Sequence, residues 1–220
     1  MICTLKMILC LIDDTFDAEF GGRRDMHRGI RSTVTLTVAA TLTLSSAPNA
    51  RSAFTVFGDG FAQSCAEAAR QVERGHIPDP QGFQACDQAI TSENLVTRDL
   101  AGTYINRGIL FLARGVYTAA KQDFDSAVLV MPSLGEAYSN RGAALLALRR
   151  YSEAITDINR GLELKSGEPE KAYFNRGLAE EALDDIKSAY LDYSRAAELK
   201  PDWILPRNEL ARFTVSSPPS

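Results

Sequence analysis

The sequence predicts an all-α, right-handed solenoid of helical hairpins: three regular units, one worn unit before them and a capping helix after them. Three observations lead there. The pattern Tyr-x-Asn-Arg-Gly recurs at residues 104–108, 138–142 and 173–177, spacings of 34 and 35 residues, and self-similarity at such a period marks a repeat architecture. Within a unit, apolar or small residues return at steps of three and four, as Tyr104, Gly108, Phe111 and then Ala120, Phe124, Ala127 do, which gives two amphipathic helices per period. Pro132 and Pro201 close the second helix of their units, because proline brings no amide hydrogen and disfavours helix in the residue before it.

Taken from the N-terminus, the elements justify themselves in turn. Residues 26–53 have a basic front (His27, Arg28, Arg31), an apolar run from Val34 to Leu44, then small residues and a proline, the layout of a secretory signal peptide. The apolar run is too short for a membrane helix, which needs about 20 residues. Cleavage is expected between Ala47 and Ala53; an uncleaved amphiphilic terminus or a buried strand is the alternative, since threonine alternates with aliphatics there. Residues 1–25, with Asp13, Asp14, Asp17 and Glu19, read as an upstream extension, with translation starting at Met26. A periplasmic or secreted location follows, with no membrane insertion once the signal is removed.

Residues 54–100 read as a degenerate hairpin and linker. FAQSCAEAARQVERG gives one helix, HIPDP a turn and QGFQACDQAI a second helix. Cys86 stands 34 residues before Ala120, in the small-residue slot, so Cys65 on the first helix can meet it. Two cysteines left in an exported chain favour a disulfide over a metal or redox pair, as no CxxC spacing and no histidine cluster accompanies them. The regular units occupy 101–134, 135–168 and 169–202. Gly108, Gly142 and Gly177, with Ala120, Ala154 and Ala189, are small where the two helices of a unit cross, so backbones can approach while rings fill the flanks. Residues 203–213 supply a helix to cover the last unit's apolar face, as solenoids require, with Trp203 as its anchor. Residues 214–220, TVSSPPS, are expected to form a disordered tail.

The offsets of these residues resemble those of the tetratricopeptide repeat family, whose unit of about 34 residues is a helix-turn-helix. Tyr104, Gly108, Phe111, Ala120, Phe124, Ala127 and Pro132 fill them in the first unit, and Tyr173, Gly177, Ala189, Tyr193, Ala196 and Pro201 in the third. The middle unit departs: Leu145 and Ile158 replace aromatics, Gly161 an alanine and Ser166 the proline. The resemblance covers residues 101–202. It implies a protein-binding adaptor, whose first helices face a concave groove that holds an extended peptide or a partner helix.

Two polar features recur. An arginine precedes an aspartate by sixteen residues in Arg107 and Asp123, Arg141 and Asp157, Arg176 and Asp192; each pair is expected to join the two helices of its unit or to bridge to a neighbour. The resemblance puts Asn106, Asn140 and Asn175 in the groove, with Ile109, Ala143, Lys171, Phe174 and Leu178 beside them. Their amides could pair with an extended backbone, or bond within the stack instead. The lining is mostly apolar and lysine-poor, so an extended hydrophobic segment or a helix fits better than an acidic chain end.

Net charge is −4, which removes the basic footprint nucleic acid or anionic lipid would need. Downstream of the signal the lone histidine is His76, too little for a triad with further bases or a multi-histidine metal site. No catalytic residue, metal or cofactor is expected; the partner is a protein or peptide. The competing expectation is an accessory subunit whose repeat surface assembles an oligomer.

Overall fold

The computed structural model describes residues 60–213. Among them are nine helices: α1 (Phe61–Glu73), α2 (Pro80–Ser92), α3 (Thr97–Ala113), α4 (Tyr117–Val130), α5 (Gly135–Ala147), α6 (Tyr151–Glu163), α7 (Pro169–Ala182), α8 (Ile186–Leu199) and α9 (Ile204–Leu210). They form an all-α helical-repeat solenoid. Antiparallel hairpins α1–α2, α3–α4, α5–α6 and α7–α8 stack in chain order, and α9 packs on α8. The expected signal segment 26–53, the extension 1–25 and the tail 214–220 lie outside the described residues.

α3 begins at Thr97, not at the expected unit boundary of 101. Its added first turn carries Asp99, near the positive end of the helix dipole. Further start signals are local. Asp79 accepts a hydrogen bond from the Gly82 amide at 2.7 Å, with Pro80 at the first helical position, so the turn that ends HIPDP is a helix cap. α1 is capped from a distance: the Glu93 carboxylate accepts from the Phe61 and Ala62 amides at 2.7 and 3.2 Å.

Each hairpin closes where its glycine stands. A Cβ added at Gly108 would lie 2.5 Å from the Phe124 ring, at Gly142 2.6 Å from Ile158 Cγ1, and at Gly177 2.8 Å from the Tyr193 ring. The aromatic or aliphatic partner therefore packs directly on the glycine backbone, and Phe124, Ile158 and Tyr193 are fully buried.

The middle unit's departures form one alternative solution. A Cβ at Gly161 would meet Ser139 Oγ at 2.1 Å, so glycine replaces alanine because serine occupies that space. The Ser139 hydroxyl in turn donates to Ser166 Oγ at 3.0 Å, so the residue in the proline slot closes the turn through its side chain.

In the first hairpin Cys65 and Cys86 are joined by a disulfide, with their Cα atoms 4.7 Å apart. At the other end Trp203, 2% exposed, sits on Phe174 with ring centroids 5.0 Å apart. Phe213 meets Tyr190 and Tyr193, so the C-terminal cap is an aromatic cluster.

Candidate functional site

At 100° per residue, the contacts of α3 divide its surface into faces. Arg107 and Gly108 meet α4. Leu110 and Phe111 meet the first hairpin, at Gly82 and Phe83. The side left over carries Gly102, Asn106, Ile109 and Ala113. Residues at the same repeat positions, Asn140 and Ala143 on α5 and Asn175 and Leu178 on α7, continue it. This is the inner face of the stack.

The face is apolar along its length and its asparagines are turned into the chain. Asn106 is 0% exposed, Asn140 8% and Asn175 6%. Asn140 Nδ2 donates to the Glu136 carbonyl of its own helix at 2.9 Å. Asn175 Oδ1 is buried and accepts no hydrogen bond, and an orphaned buried acceptor costs about 1–3 kcal/mol until a donor reaches it.

Two residues expected in the groove are placed differently. Phe174 is a core residue: its ring lies between Tyr193 and Trp203, at centroid distances of 5.4 and 5.0 Å. In the last unit that flank of the first helix receives the cap instead of a further repeat. Lys171 is 8% exposed and its ammonium pairs with Glu168 at 3.0 Å, so its charge is engaged at the start of α7.

The arginines form a ladder on the opposite side. Arg107 forks on Asp123, Nε to Oδ2 at 2.8 Å and Nη2 to Oδ1 at 2.6 Å, and its Nη1 reaches Asp87 of the preceding hairpin at 2.6 Å. Arg141 forks on Asp157 at 2.6 and 2.8 Å and reaches Asp125 at 3.1 Å. Arg176 forks on Asp192 at 2.6 and 2.7 Å and reaches Asn159 at 2.5 Å. Each guanidinium thus closes its own hairpin and ties it to the outer helix before it.

The three planes also lie over Tyr104, Tyr138 and Tyr173, at 5.8, 5.3 and 5.3 Å from the ring centroids. Hydrogen bonds donated to the aspartates hold all three guanidiniums above their ordinary pKa, against desolvation. The sequence reading identified the arginine and aspartate of each rung; it missed the third partner and the tyrosine. The tyrosine signal was present, three residues before each arginine, where helix period puts it on the same side.

Glu180, beside the last rung, has one carboxylate oxygen buried without a partner. Burial first, then the nearby Asp192 charge, push its pKa up to about 7. His76 lies in the α1–α2 turn with Nδ1 3.1 Å from the Gln71 carbonyl. Among the described residues no group of three or more His, Cys, Asp or Glu side chains could hold a metal ion, and no helix is long and apolar enough to cross a membrane.

Fold and inner face define a helical-repeat protein of stacked hairpins. The family model of the tetratricopeptide repeat matches residues 135–167 and 170–202, which are α5–α6 and α7–α8. No curated protein matches it in sequence. Among solved structures, the first such domain of human RPAP3 is 28% identical over 51% of this chain and 87% of that one, with a TM-score of 0.48. The first repeat domain of Spaghetti (RPAP3), bound to an HSP90 peptide, is likewise 28% identical over 51% of this chain and 88% of that one, TM-score 0.48. MamA from Desulfovibrio magneticus RS-1 is 21% identical over 70% of this chain and 82% of that one, with a TM-score of 0.54, and shares the fold.

Proposed function

We propose that this protein is an exported interaction scaffold that grips an extended apolar segment of a partner protein along the inner face of α3, α5 and α7. One observation carries the reading: equivalent positions on successive inner helices, Ile109, Ala143 and Leu178, are apolar and line up beside Asn106, Asn140 and Asn175. Such a row offers the side chains of an extended segment an apolar floor. Lys171 is already paired with Glu168, which favours an apolar ligand over an acidic chain end. The tripartite segment 26–53 supports export to the periplasm or cell envelope, and the net charge of −4 argues against a nucleic-acid ligand.

The test is an array of extended hydrophobic peptides probed with the chain and with its Ala143→Glu variant. Selective binding by the parent, lost at least tenfold in the variant while circular dichroism stays unchanged, is the expected result. Equal binding by both removes the inner face from the function. The mass of the exported form should place its first residue between Pro48 and Phe54; a retained N-terminus overturns the export reading.

A further inference from the structure

Seven residues after the tyrosine of each repeat motif stand Phe111, Leu145 and Glu180. In the first unit this position packs on the hairpin before it, where the rings of Phe111 and Phe83 have centroids 4.9 Å apart. In the second, Leu145 is 3% exposed. Glu180 puts a carboxyl group in the same slot, with one oxygen buried and unpartnered and the other 3.8 Å from Arg176 Nε. Burying such a group costs far more when it is ionised than when it is neutral. The rung beside it has changed as well. Arg107 and Arg141 each reach an aspartate on the outer helix before, Asp87 and Asp125, whereas Arg176 reaches the side-chain oxygen of Asn159. The seam between α5–α6 and α7–α8 therefore lacks a charge that ties the earlier hairpins together and holds one that burial penalises.

We propose that this seam is a pH-responsive joint: Glu180 is neutral while the last hairpin is seated, and its ionisation loosens that hairpin, with its cap, from the rest of the stack. The neighbours set the balance. Burial, Asp192 on α8 and Asp185 in the turn before α8 oppose the ionised form, and Arg176 on the same helix favours it. From α6 the rung receives the uncharged Asn159. Burial and the Asp192 charge outweigh Arg176, so the seated group titrates at about 7. Once the seam opens, water reaches the carboxylate and its ordinary value of 4.5 returns. Closure therefore binds a proton: it is fully favoured below about 4.5, weakens as pH rises through 7 and then levels off. The inner face crosses this seam, from Ala143 on α5 to Leu178 on α7. On the binding role proposed above, the joint also sets how firmly a ligand is held, although its own opening requires none.

Hydrogen exchange of the full chain, read by mass spectrometry at about pH 5 and about pH 8 and corrected for the pH dependence of the chemical exchange rate, provides the test. Protection in α7, α8 and α9 should fall about fivefold from the lower pH to the higher, while α3 and α4 keep theirs. Glu180→Gln, neutral at both pH values, should remove the difference, and Glu180→Leu, which restores an apolar slot, should hold protection high at both. An equal fall in every helix, or a fall that persists in Glu180→Gln, overturns the proposal. In parallel, the Glu180 carboxyl carbon, followed by NMR, should titrate well above the ordinary glutamate value; a midpoint near 4.5 overturns it as well. Neither measurement needs a ligand, so failure of the peptide array bears on the proposed function while failure here bears on the joint.

Discussion

At the scale of single residues, the arginine rungs are buried ion pairs whose two partners depend on each other. Asp157 is mostly buried, with 12% side-chain exposure, and its carboxylate is forked by Arg141. Arg141→Ala strands that carboxylate and should destabilise the chain by about 3–5 kcal/mol, measured by urea unfolding. Arg141→Lys keeps the charge but loses the fork and the stacking on Tyr138, and should recover only part of the loss. Glu180 makes the opposite contribution. Its pKa rises from an ordinary 4.5 to about 7 on folding, so the folded state holds a proton that the unfolded state has released above about 4.5. Stability therefore falls as pH rises from about 4.5 through 7 and then levels off. Glu180→Gln should be more stable than the parent by about 1 kcal/mol at pH 8, with the gap closing by pH 4, in chemical melts at the two pH values. A constant gap would show that the proton is not involved.

At the scale of the helical hairpin, the decisive quantity is how closely two backbones approach. Gly142 would place a Cβ 2.6 Å from Ile158 Cγ1 and 3.1 Å from the Ala154 carbonyl oxygen, and the backbone atom cannot swing away. Gly142→Val should therefore cost about 1–3 kcal/mol or more by overpacking, read as a lowered melting temperature. A small-residue slot was legible in the sequence because it recurred at the period. The exchange in the middle unit was not. Gly161, Ser139 and Ser166 stand in three different elements, and no pattern along the chain says that a serine on α5 claims the space of an alanine on α6. The added turn at Thr97–Leu100 was missed for a similar reason: it precedes the repeat and carries no repeat signal.

At the scale of the whole molecule, stability is passed from one hairpin to the next, since each touches only its neighbours. The ends therefore matter more than their size suggests. Trp203→Ala should expose Phe174 and cost about 3–5 kcal/mol. Hydrogen exchange should rise in α7 and α8 well before α1–α4 respond; uniform acceleration along the chain would show that the stack melts as one unit. The disulfide between Cys65 and Cys86 protects the opposite end, in the hairpin whose repeat residues are most worn.

By itself the sequence determined the hairpin count, the residues at the crossing points and the intra-unit arginine–aspartate pairs. All are periodic, and a period survives projection onto a line. Tertiary structure alone decided which side of each helix is covered. Phe174 passed from groove to core because the cap, which has no counterpart inside the repeat, packs on its flank. Asn175 acquired an orphaned acceptor because burial depends on every neighbour in space, whereas spacing along the chain reports only those within the same helix.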